Sequence, residues 1–211
     1  MTDRPHIQEV LTDLHRLAEN NRRERQLAME QITDERDRKI EIAKLRSNAY
    51  LAISPEQGAF LYLAARSIQA KHIVEFGCSF GISTIYLAWA ADHSNGTVTT
   101  TELESQKWDH ATRNWQRAEL DHRVTLLQGD ALDTLKNVTR PVDLLFLDGE
   151  KSLYLPVYQL LESNLHAGSM IIADNIDREG ASDFVSFIED HPERFISAVL
   201  FDGRVMQVLV I

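Results

Sequence analysis

The sequence predicts an α/β fold: a doubly wound, mostly parallel sheet of seven strands with an N-terminal helical extension and a C-terminal antiparallel hairpin. From Ser54 onward, short apolar runs that are typical of buried strands alternate with segments of helical periodicity. The run Ile73–Thr84 (IVEFGCSFGIST) passes from such a strand through two glycines into a helix. Near the end, Phe195–Phe201 and Val205–Ile211 flank Asp202-Gly203, which favours a tight hairpin.

Residues 1–50 are predicted to form the helical extension, and residues 51–211 the main domain. One face of the first helix is apolar and carries Ile7, Val10, Leu11, Leu14, Leu17 and Ala18. The segment from Arg22 to Arg46 is dense in charge and contains neither glycine nor proline, so a long helix is expected. Two roles are open for it: a solvated element, or a lid or dimer contact.

The helix that opens the main domain has a clear start signal. Ser54-Pro55-Glu56-Gln57 combines an N-cap residue, a proline in the first turn and an acidic side chain, and this helix is expected to run to about Gln69. After it, strands are predicted at 72–76, 97–101, 123–127, 142–147 and 169–173, and helices at roughly 82–91, 105–118, 131–137 and 152–163. Repeated βα units of this kind imply parallel strands.

Composition and charge argue against several classes of function. The chain has 211 residues and a net charge of −10, and because residues 1–50 carry equal numbers of acidic and basic side chains, the whole excess lies in residues 51–211. A body this acidic repels phosphate backbones, so nucleic acid is not expected as a partner. No apolar run is long enough for a membrane span, the N-terminus lacks a signal pattern and Cys78 is the single cysteine, which together predict a cytoplasmic protein.

The turn after the first predicted strand indicates a cofactor site. A strand that opens through glycines onto a helix N-terminus brings bare backbone close to a ligand. The spacing from Gly77 to Gly81 is GxxxG instead of the GxGxxG of dinucleotide sites, and Glu75 stands two residues before the first glycine. A carboxylate there can pair with a cationic group of a ligand. The alternative is an ordinary strand–turn–helix corner.

Acidic residues also follow the second and third strands. Glu102 lies 25 residues after Gly77, where an acid can accept both hydroxyls of a ribose. An exposed carboxylate at a strand end is the alternative interpretation. Asp130 follows the third strand and can bond to an adenine amino group, cap the next helix, or do both.

The fourth and fifth strands end in side chains that carry oxygen. Asp148 ends the fourth, and Asp174-Asn175 follows the fifth. If these strands are neighbours, two carboxylates and an amide carbonyl meet above the sheet edge. That set suits Mg²⁺, Ca²⁺ or Mn²⁺, whereas zinc favours cysteine and histidine. Alternatively, Asp174-Asn175 is only a turn.

In their order, these segments resemble the motifs of the metal-dependent O-methyltransferases that use S-adenosylmethionine, a family that includes the catechol and caffeoyl-coenzyme A O-methyltransferases. The matching segments are SPEQGAFL (Ser54–Leu61), Ile73–Thr84, Glu102, Gly129–Ala131, LFLDGEKSLY (Leu145–Tyr154) and IIADN (Ile171–Asn175). The resemblance covers about residues 50–211 and implies a Rossmann-like methyltransferase fold.

The resemblance implies a role for each candidate residue. S-adenosylmethionine would contact Ala52, Ile53, Glu75, Gly77, Ser79, Ser83, Glu102, Asp130, Ala131 and Asp148. The metal would be bound by Asp148, Asp174 and Asn175, and Lys151 would be the general base. A salt bridge between Lys151 and Glu150 on an exposed turn is the alternative for that lysine. A homodimer is also expected, in part from the resemblance.

The expected reaction is methyl transfer to a hydroxyl of a small molecule with vicinal oxygens, either phenolic or sugar-like. Aligning the reactants and holding two adjacent oxygens on a cation would supply much of the rate. An acyl-coenzyme A acceptor is less favoured because the acidic body disfavours its phosphates. Two other classes stay open: a metal-free methyltransferase that acts on nitrogen or a carboxylate, and a non-catalytic S-adenosylmethionine-binding protein.

Overall fold

A computed structural model describes residues 5–30 and 49–211. The helices in this part of the chain are α1 (Pro5–Glu30), α2 (Pro55–Ser67), α3 (Ile82–His93), α4 (Ser105–Arg117), α5 (Ala131–Thr134), α6 (Tyr154–Leu161) and α7 (Ser182–Glu189). The strands are β1 (His72–Phe76), β2 (Thr97–Glu102), β3 (Val124–Gln128), β4 (Val142–Leu147), β5 (Leu165–Asp174), β6 (Phe195–Leu200) and β7 (Val205–Val210).

The seven strands form one sheet in the order β3-β2-β1-β4-β5-β7-β6. Strands β1 to β5 run parallel, and β7 runs antiparallel between β5 and β6. The first strand, β1, lies in the middle of the sheet. Strands β2 and β3 are added on one side of it, and the chain then returns to place β4 on the other side of β1. The carboxyl ends of β1 and β4 therefore form a topological switch point, where open α/β sheets bind their ligands.

Alternating side chains of the central strands point into two separate cores. On one face, Leu144 and Phe146 of β4 pack in the cluster that α1 to α4 complete. On the other face, Leu145 and Leu147 pack with apolar residues of α5, α6 and α7. A parallel strand buried on both faces needs apolar residues throughout, and this explains the continuous run that predicted β4.

The apolar face of α1 packs against the main domain. Ile7, Val10, Leu11, Leu14 and Ala18 are buried against α3 and α4, whereas Leu17 is 36% exposed. Two polar contacts add to this packing. Asp13 accepts a hydrogen bond of 2.6 Å from Arg117 of α4, and His15 Nε2 lies 3.0 Å from the Tyr86 hydroxyl of α3. The predicted face is confirmed, while residues 31–46 of the predicted long helix lie outside the described residues.

Most predicted elements agree with the structure. Strands β1 and β4 match residue for residue, whereas β5 begins at Leu165, four residues before its predicted start. Helix α7 was not predicted, although Phe184 and Ile188 are buried one helical turn apart. The hairpin is present, and Phe201, Asp202 and Gly203 all have positive φ. None of the described helices is long and apolar enough to cross a membrane.

Candidate functional site

The turns that follow β1 and β4 touch each other at the switch point. Gly77 has a φ of 89°, and a Cβ added to it would stand 2.8 Å from the Cα of Gly149. The N–H of Asp148 donates to the Phe76 carbonyl at 3.0 Å, so β4 stays in register up to this turn. Only glycine fits the Gly77 position, and the two loops therefore meet as bare backbone.

Glu75 is the anchor of the turn after β1. Its side chain is fully buried and accepts hydrogen bonds of 2.6 Å from the hydroxyls of Ser83, Thr84 and Thr100. Burial raises the pKa of Glu75, and the three hydroxyls act against that rise. Glu75 and Ser83 are thus hydrogen-bonded to each other. Their contact with the methionine portion of S-adenosylmethionine stays a prediction.

Glu102 holds the same turn from β2. Its carboxylate accepts the N–H groups of Ser79 and Glu104, each at 2.8 Å, and only 7% of the residue is exposed. The interpretation of Glu102 as an exposed carboxylate is therefore wrong. Ser79 has a φ of 50°, and its buried Oγ has no hydrogen-bond partner among residues 5–30 and 49–211. Both residues stay candidates for ligand contacts.

The residues that were predicted to contact the two ends of S-adenosylmethionine lie on either side of the turn after β1. Asp130 accepts the N–H of Leu132 at 2.8 Å and so caps α5, whose first residue, Ala131, is buried. The capping role of Asp130 is confirmed, and its contact with adenine stays a prediction. At the other end, Ala52 is exposed, and Ile53 is buried just before α2.

A chain of polar contacts links the carboxyl ends of β4 and β5. Lys151 Nζ lies 3.3 Å from Asp148 Oδ1 and donates to the Tyr154 hydroxyl at 2.7 Å. That hydroxyl donates in turn to the backbone carbonyl of Asp174 at 2.8 Å. The ammonium group of Lys151 is thus paired with Asp148 and Tyr154 and not with Glu150, and only 16% of its side chain is exposed. The exposed-turn alternative for Lys151 is wrong.

The charged forms of the two acids at this edge are disfavoured, even though Lys151 lies beside Asp148. Burial raises the pKa of Asp148 to about 7, with Lys151 acting against the rise and Asp174 and Glu75 adding to it. Burial also raises the pKa of Asp174, whose residue is 4% exposed. Buried carboxylates in repulsive proximity are stabilised by a nearby positive charge.

These donors are chemically suited to a hard divalent cation. Carboxylate oxygens and an amide carbonyl are ligands that Mg²⁺ and Ca²⁺ prefer. Asn175 follows Asp174 with a φ of 54°, and its carbonyl accepts the N–H of Arg178, so a turn is also present here. Within residues 5–30 and 49–211 no group of three or more histidine, cysteine, aspartate or glutamate side chains forms a metal cluster. The three-residue metal set therefore stays a prediction.

Two residues of the site were missed by the sequence reasoning. Tyr154 is fully buried, and burial raises the pKa of its hydroxyl well above 10, so it stays protonated and can donate. Its position three residues after Lys151, at the start of α6, was the available signal. Gln57 is buried at 7% exposure and donates from Nε2 to Asp174 Oδ1 at 2.8 Å. The sequence already explained Gln57 as part of the N-terminal cap of α2, so this second contact was not predicted.

A small apolar cleft opens beside Asp174. Its walls come from Ile53 just before α2, from α2 itself, and from β4, β5 and β7. The lining residues are Ile53, Gln57, Phe60, Leu61, Phe146, Ile172, Asp174 and Val205. Its polar groups are thus confined to the Gln57–Asp174 pair, next to the proposed metal ligands.

Comparisons with known proteins identify related sequences and structures. The family model described as "O-methyltransferase" matches residues 25–206. A protein named catechol O-methyltransferase from Niastella koreensis is 36% identical over 134 residues, which cover 62% of this chain and 60% of that protein. The match thus spans about three fifths of that relative.

Solved structures show the same architecture. The crystal structure of a protein from Klebsiella pneumoniae matches this chain with a TM-score of 0.72 at 24% identity. The match covers 100% of this chain and 91% of that protein, and it shows the fold alone. The Bacillus cereus O-methyltransferase in complex with SAH has a TM-score of 0.67 at 27% identity, with 87% of this chain and 96% of that chain covered. Because the family model matches most of its length, this chain belongs to the O-methyltransferase family.

Proposed function

We propose that this member of the O-methyltransferase family transfers a methyl group from S-adenosylmethionine to a hydroxyl oxygen of a small molecule with vicinal oxygens, assisted by a divalent cation. The contact chain Asp148–Lys151–Tyr154–Asp174 at the switch point carries this proposal. It combines a positioned amine with the partly buried carboxylate of Asp148 and the buried carboxylate of Asp174, and burial raises the pKa of both.

The methyl donor is proposed to lie over the turn after β1. Ser79 supports this placement because its buried Oγ has no hydrogen-bond partner in the described part of the chain, and a buried hydroxyl without a partner is costly unless a ligand supplies one. Glu102 is held by two backbone N–H groups and would accept the ribose hydroxyls. The other proposed contacts of the methyl donor are Ala52, Ile53, Glu75, Gly77, Ser83, Asp130, Ala131 and Asp148.

The cation is proposed to bind Asp148, Asp174 and Asn175, with Mg²⁺ as the first choice. When bound, the donor supplies an electrophilic methyl on sulfur and the cation supplies positive charge that favours the ionised acceptor. Asp148 and Tyr154 hold Lys151 Nζ at this edge of the sheet. A fixed amine at this position can take a proton from an acceptor hydroxyl that lies within hydrogen-bond distance.

The proposed step balances in atoms and electrons. Once the ammonium group of Lys151 has given up a proton to water, its neutral amine accepts the hydroxyl proton, and the acceptor oxygen forms a bond to the methyl carbon as the carbon–sulfur bond breaks. The electron pair of that bond stays on sulfur. The products are a methyl ether, S-adenosylhomocysteine and protonated Lys151, which then returns its proton to water. Only 16% of the Lys151 side chain is exposed, which limits its contact with water.

A phenolic acceptor is favoured over a sugar. The side chains around the cleft beside Asp174 are mainly apolar, and an aromatic framework that presents two oxygens at one end suits such surroundings better than a sugar does. We also propose a homodimer, and an assembly in which residues 1–50 contribute to the lid or the dimer contact. Light scattering of the full chain, and of a variant that lacks residues 1–50, tests the assembly.

The reaction is tested with metal-stripped protein, S-adenosylmethionine and a panel of catechols, with products measured by mass spectrometry. We expect methylated product with Mg²⁺ or Mn²⁺ and none in chelator, while binding of S-adenosylhomocysteine survives chelation. NAD should not compete for the donor site. Equal product in chelator would contradict the metal-dependent proposal. Tight donor binding with no methylation of any oxygen, nitrogen or carboxyl acceptor would indicate a non-catalytic binding protein.

A further inference from the structure

Gln57 bridges two parts of the site that lie 117 residues apart in the sequence. Its side-chain oxygen accepts the N–H of Ser54 at 2.9 Å, and its Nε2 donates to Asp174 Oδ1 at 2.8 Å. The first contact belongs to the capping box that starts α2. The second reaches across to the end of β5. One buried carboxamide therefore joins the helix start to a proposed metal ligand.

The orientation of this carboxamide is fixed by its partners. The backbone N–H of Ser54 can only donate, so the oxygen of Gln57 must face it. The NH₂ group then faces the Asp174 carboxylate, which accepts. A flipped amide would place two donors together at Ser54 and two acceptors together at Asp174. The contact is therefore directional, and a side chain without a donor cannot replace it.

The two ends of Asp174 are held from different elements. Its backbone carbonyl accepts the Tyr154 hydroxyl from α6, and its carboxylate accepts Gln57 from α2. With 4% of the residue exposed, water has little access to that carboxylate. Hydrogen-bond partners of this kind orient a metal ligand, and their loss weakens metal binding.

We propose that Gln57 is a positioning residue, which fixes the Asp174 carboxylate in the orientation that binds the divalent cation. This inference rests on the proposed function, because it assumes that Asp174 is a metal ligand. Gln57 does not touch the reacting atoms in this scheme. Its role is to hold one oxygen of the Asp174 carboxylate, so that this carboxylate already has its binding orientation before the cation arrives.

The capping box provides a matched pair of variants. Gln57→Ala removes one half of the box together with the donor to Asp174. Ser54→Ala removes the other half, which is the hydroxyl that accepts the Gln57 N–H at 3.2 Å, but it keeps the Ser54 N–H and the whole Gln57 side chain. Both variants weaken the start of α2, so they should lower Tm by comparable amounts. Only Gln57→Ala frees the Asp174 carboxylate.

The test is a titration of Mn²⁺ into full-length protein loaded with S-adenosylhomocysteine, with free Mn²⁺ followed by electron paramagnetic resonance. We expect Gln57→Ala to weaken Mn²⁺ binding roughly tenfold or more, the scale for partners of metal ligands. Ser54→Ala should bind Mn²⁺ as the wild type does. If Gln57→Ala does not fold, Gln57→Leu keeps more of the packed volume and is expected to show the same loss.

Two results would overturn the inference. Unchanged Mn²⁺ affinity in folded Gln57→Ala shows that Asp174 needs no positioning from α2. Equal losses in Gln57→Ala and Ser54→Ala assign the effect to the helix cap. A wild-type protein that binds no Mn²⁺ would contradict the metal site itself, and this inference with it, so the two failures are distinguishable.

Discussion

Strand β4 carries an acid near each of its ends, and the two carboxyl groups are in opposite electrostatic states. At the amino end, Asp143 accepts the N–H groups of Lys71 and His72 at 2.7 and 2.9 Å, and His166 lies 3.1 Å away. Burial acts to raise the pKa of Asp143, but these partners together hold it below 3.8. At the carboxyl end, burial raises the pKa of Asp148 to about 7 despite its contact with Lys151.

This difference assigns a stabilising role to the amino end of β4 and a functional role to its carboxyl end. Asp143 fastens the start of β1 to β4, and its charge is compensated by the protein itself. Asp148, Asp174 and Glu75 lie at the other end, and burial raises the pKa of all three. Acids with pKa values raised in this way are typical of a site of binding or catalysis, where a ligand can supply further positive charge.

The largest expected effect is at the carboxyl end. Asp174→Ala should abolish turnover as chelation does, because the cation loses a proposed ligand, while donor binding persists. Turnover is measured by mass spectrometry and donor binding by calorimetry. The substitution relieves the repulsion between two acids, but it also leaves the buried Gln57 Nε2 without its acceptor, so a melting curve must first show that the variant is folded. Normal turnover in folded Asp174→Ala would break the assignment of function to this end.

Lys151→Ala should keep metal and donor binding and slow the chemical step by roughly 10²–10⁴-fold, the usual contribution of a positioned base. Activity should partly recover at higher pH, because the acceptor hydroxyl then ionises by itself. Single-turnover kinetics across pH make this measurement. Tyr154→Phe is the companion variant, with a smaller loss expected because it removes one hydrogen bond to Nζ. An unchanged chemical rate in Lys151→Ala would argue for the metal-free reaction.

Glu102→Ala should weaken S-adenosylmethionine binding by roughly 1.5–3 kcal/mol, the scale for hydrogen bonds to a charged group. Isothermal titration measures the loss. Asp109→Ala, an exposed acid on α4, is the control for a general change in charge and should bind the donor normally. If the two variants bind the donor equally well, Glu102 only braces the turn through Ser79 and Glu104.

At the amino end the same kind of change should affect only stability. Asp143→Ala leaves the N–H groups of Lys71 and His72 without their acceptor, at a cost of about 1–3 kcal/mol in the free energy of unfolding. For a domain of this size, Tm should fall by about 2–4 °C per kcal/mol. The turnover of the folded fraction should not change. A drop in turnover without a drop in Tm would remove the contrast between the two ends.

Much of this arrangement was predictable because it depends on local sequence. The apolar run of β4 gave its limits, and Asp148 and Asp174 were found because parallel strands bring their carboxyl ends together. Contacts between distant segments were not predictable in the same way. Gln57 was fully explained by its cap, so nothing in the sequence pointed to Asp174. The apolar face of α1 was visible, but its packing against Tyr86 of α3 depends on tertiary structure.

The charge states themselves could not be read from residue types. Asp143 and Asp148 are the same amino acid on one strand, and only their surroundings separate them. Because the pKa of Asp143 is lowered and that of Asp148 is raised, the two residues should change stability with pH in opposite directions. The raised pKa of Asp148 makes the metal-free protein less stable as pH rises from 3.8 towards about 7, whereas the lowered pKa of Asp143 costs stability as pH falls below 3.8. Melting curves of Asp148→Asn should show a weaker form of the first trend, because Glu75 and Asp174 still contribute to it.

The most direct measurement is a carbon-13 NMR titration of the side-chain carboxyls of Asp143 and Asp148, with and without Mg²⁺. We predict that Asp148 titrates near pH 7 in the metal-free protein and that Mg²⁺ lowers its pKa strongly, since the cation favours the ionised form. Asp143 should titrate below 3.8 and not respond to Mg²⁺. An Asp148 that titrates at or below 3.8 without metal, or that ignores Mg²⁺, would contradict the account.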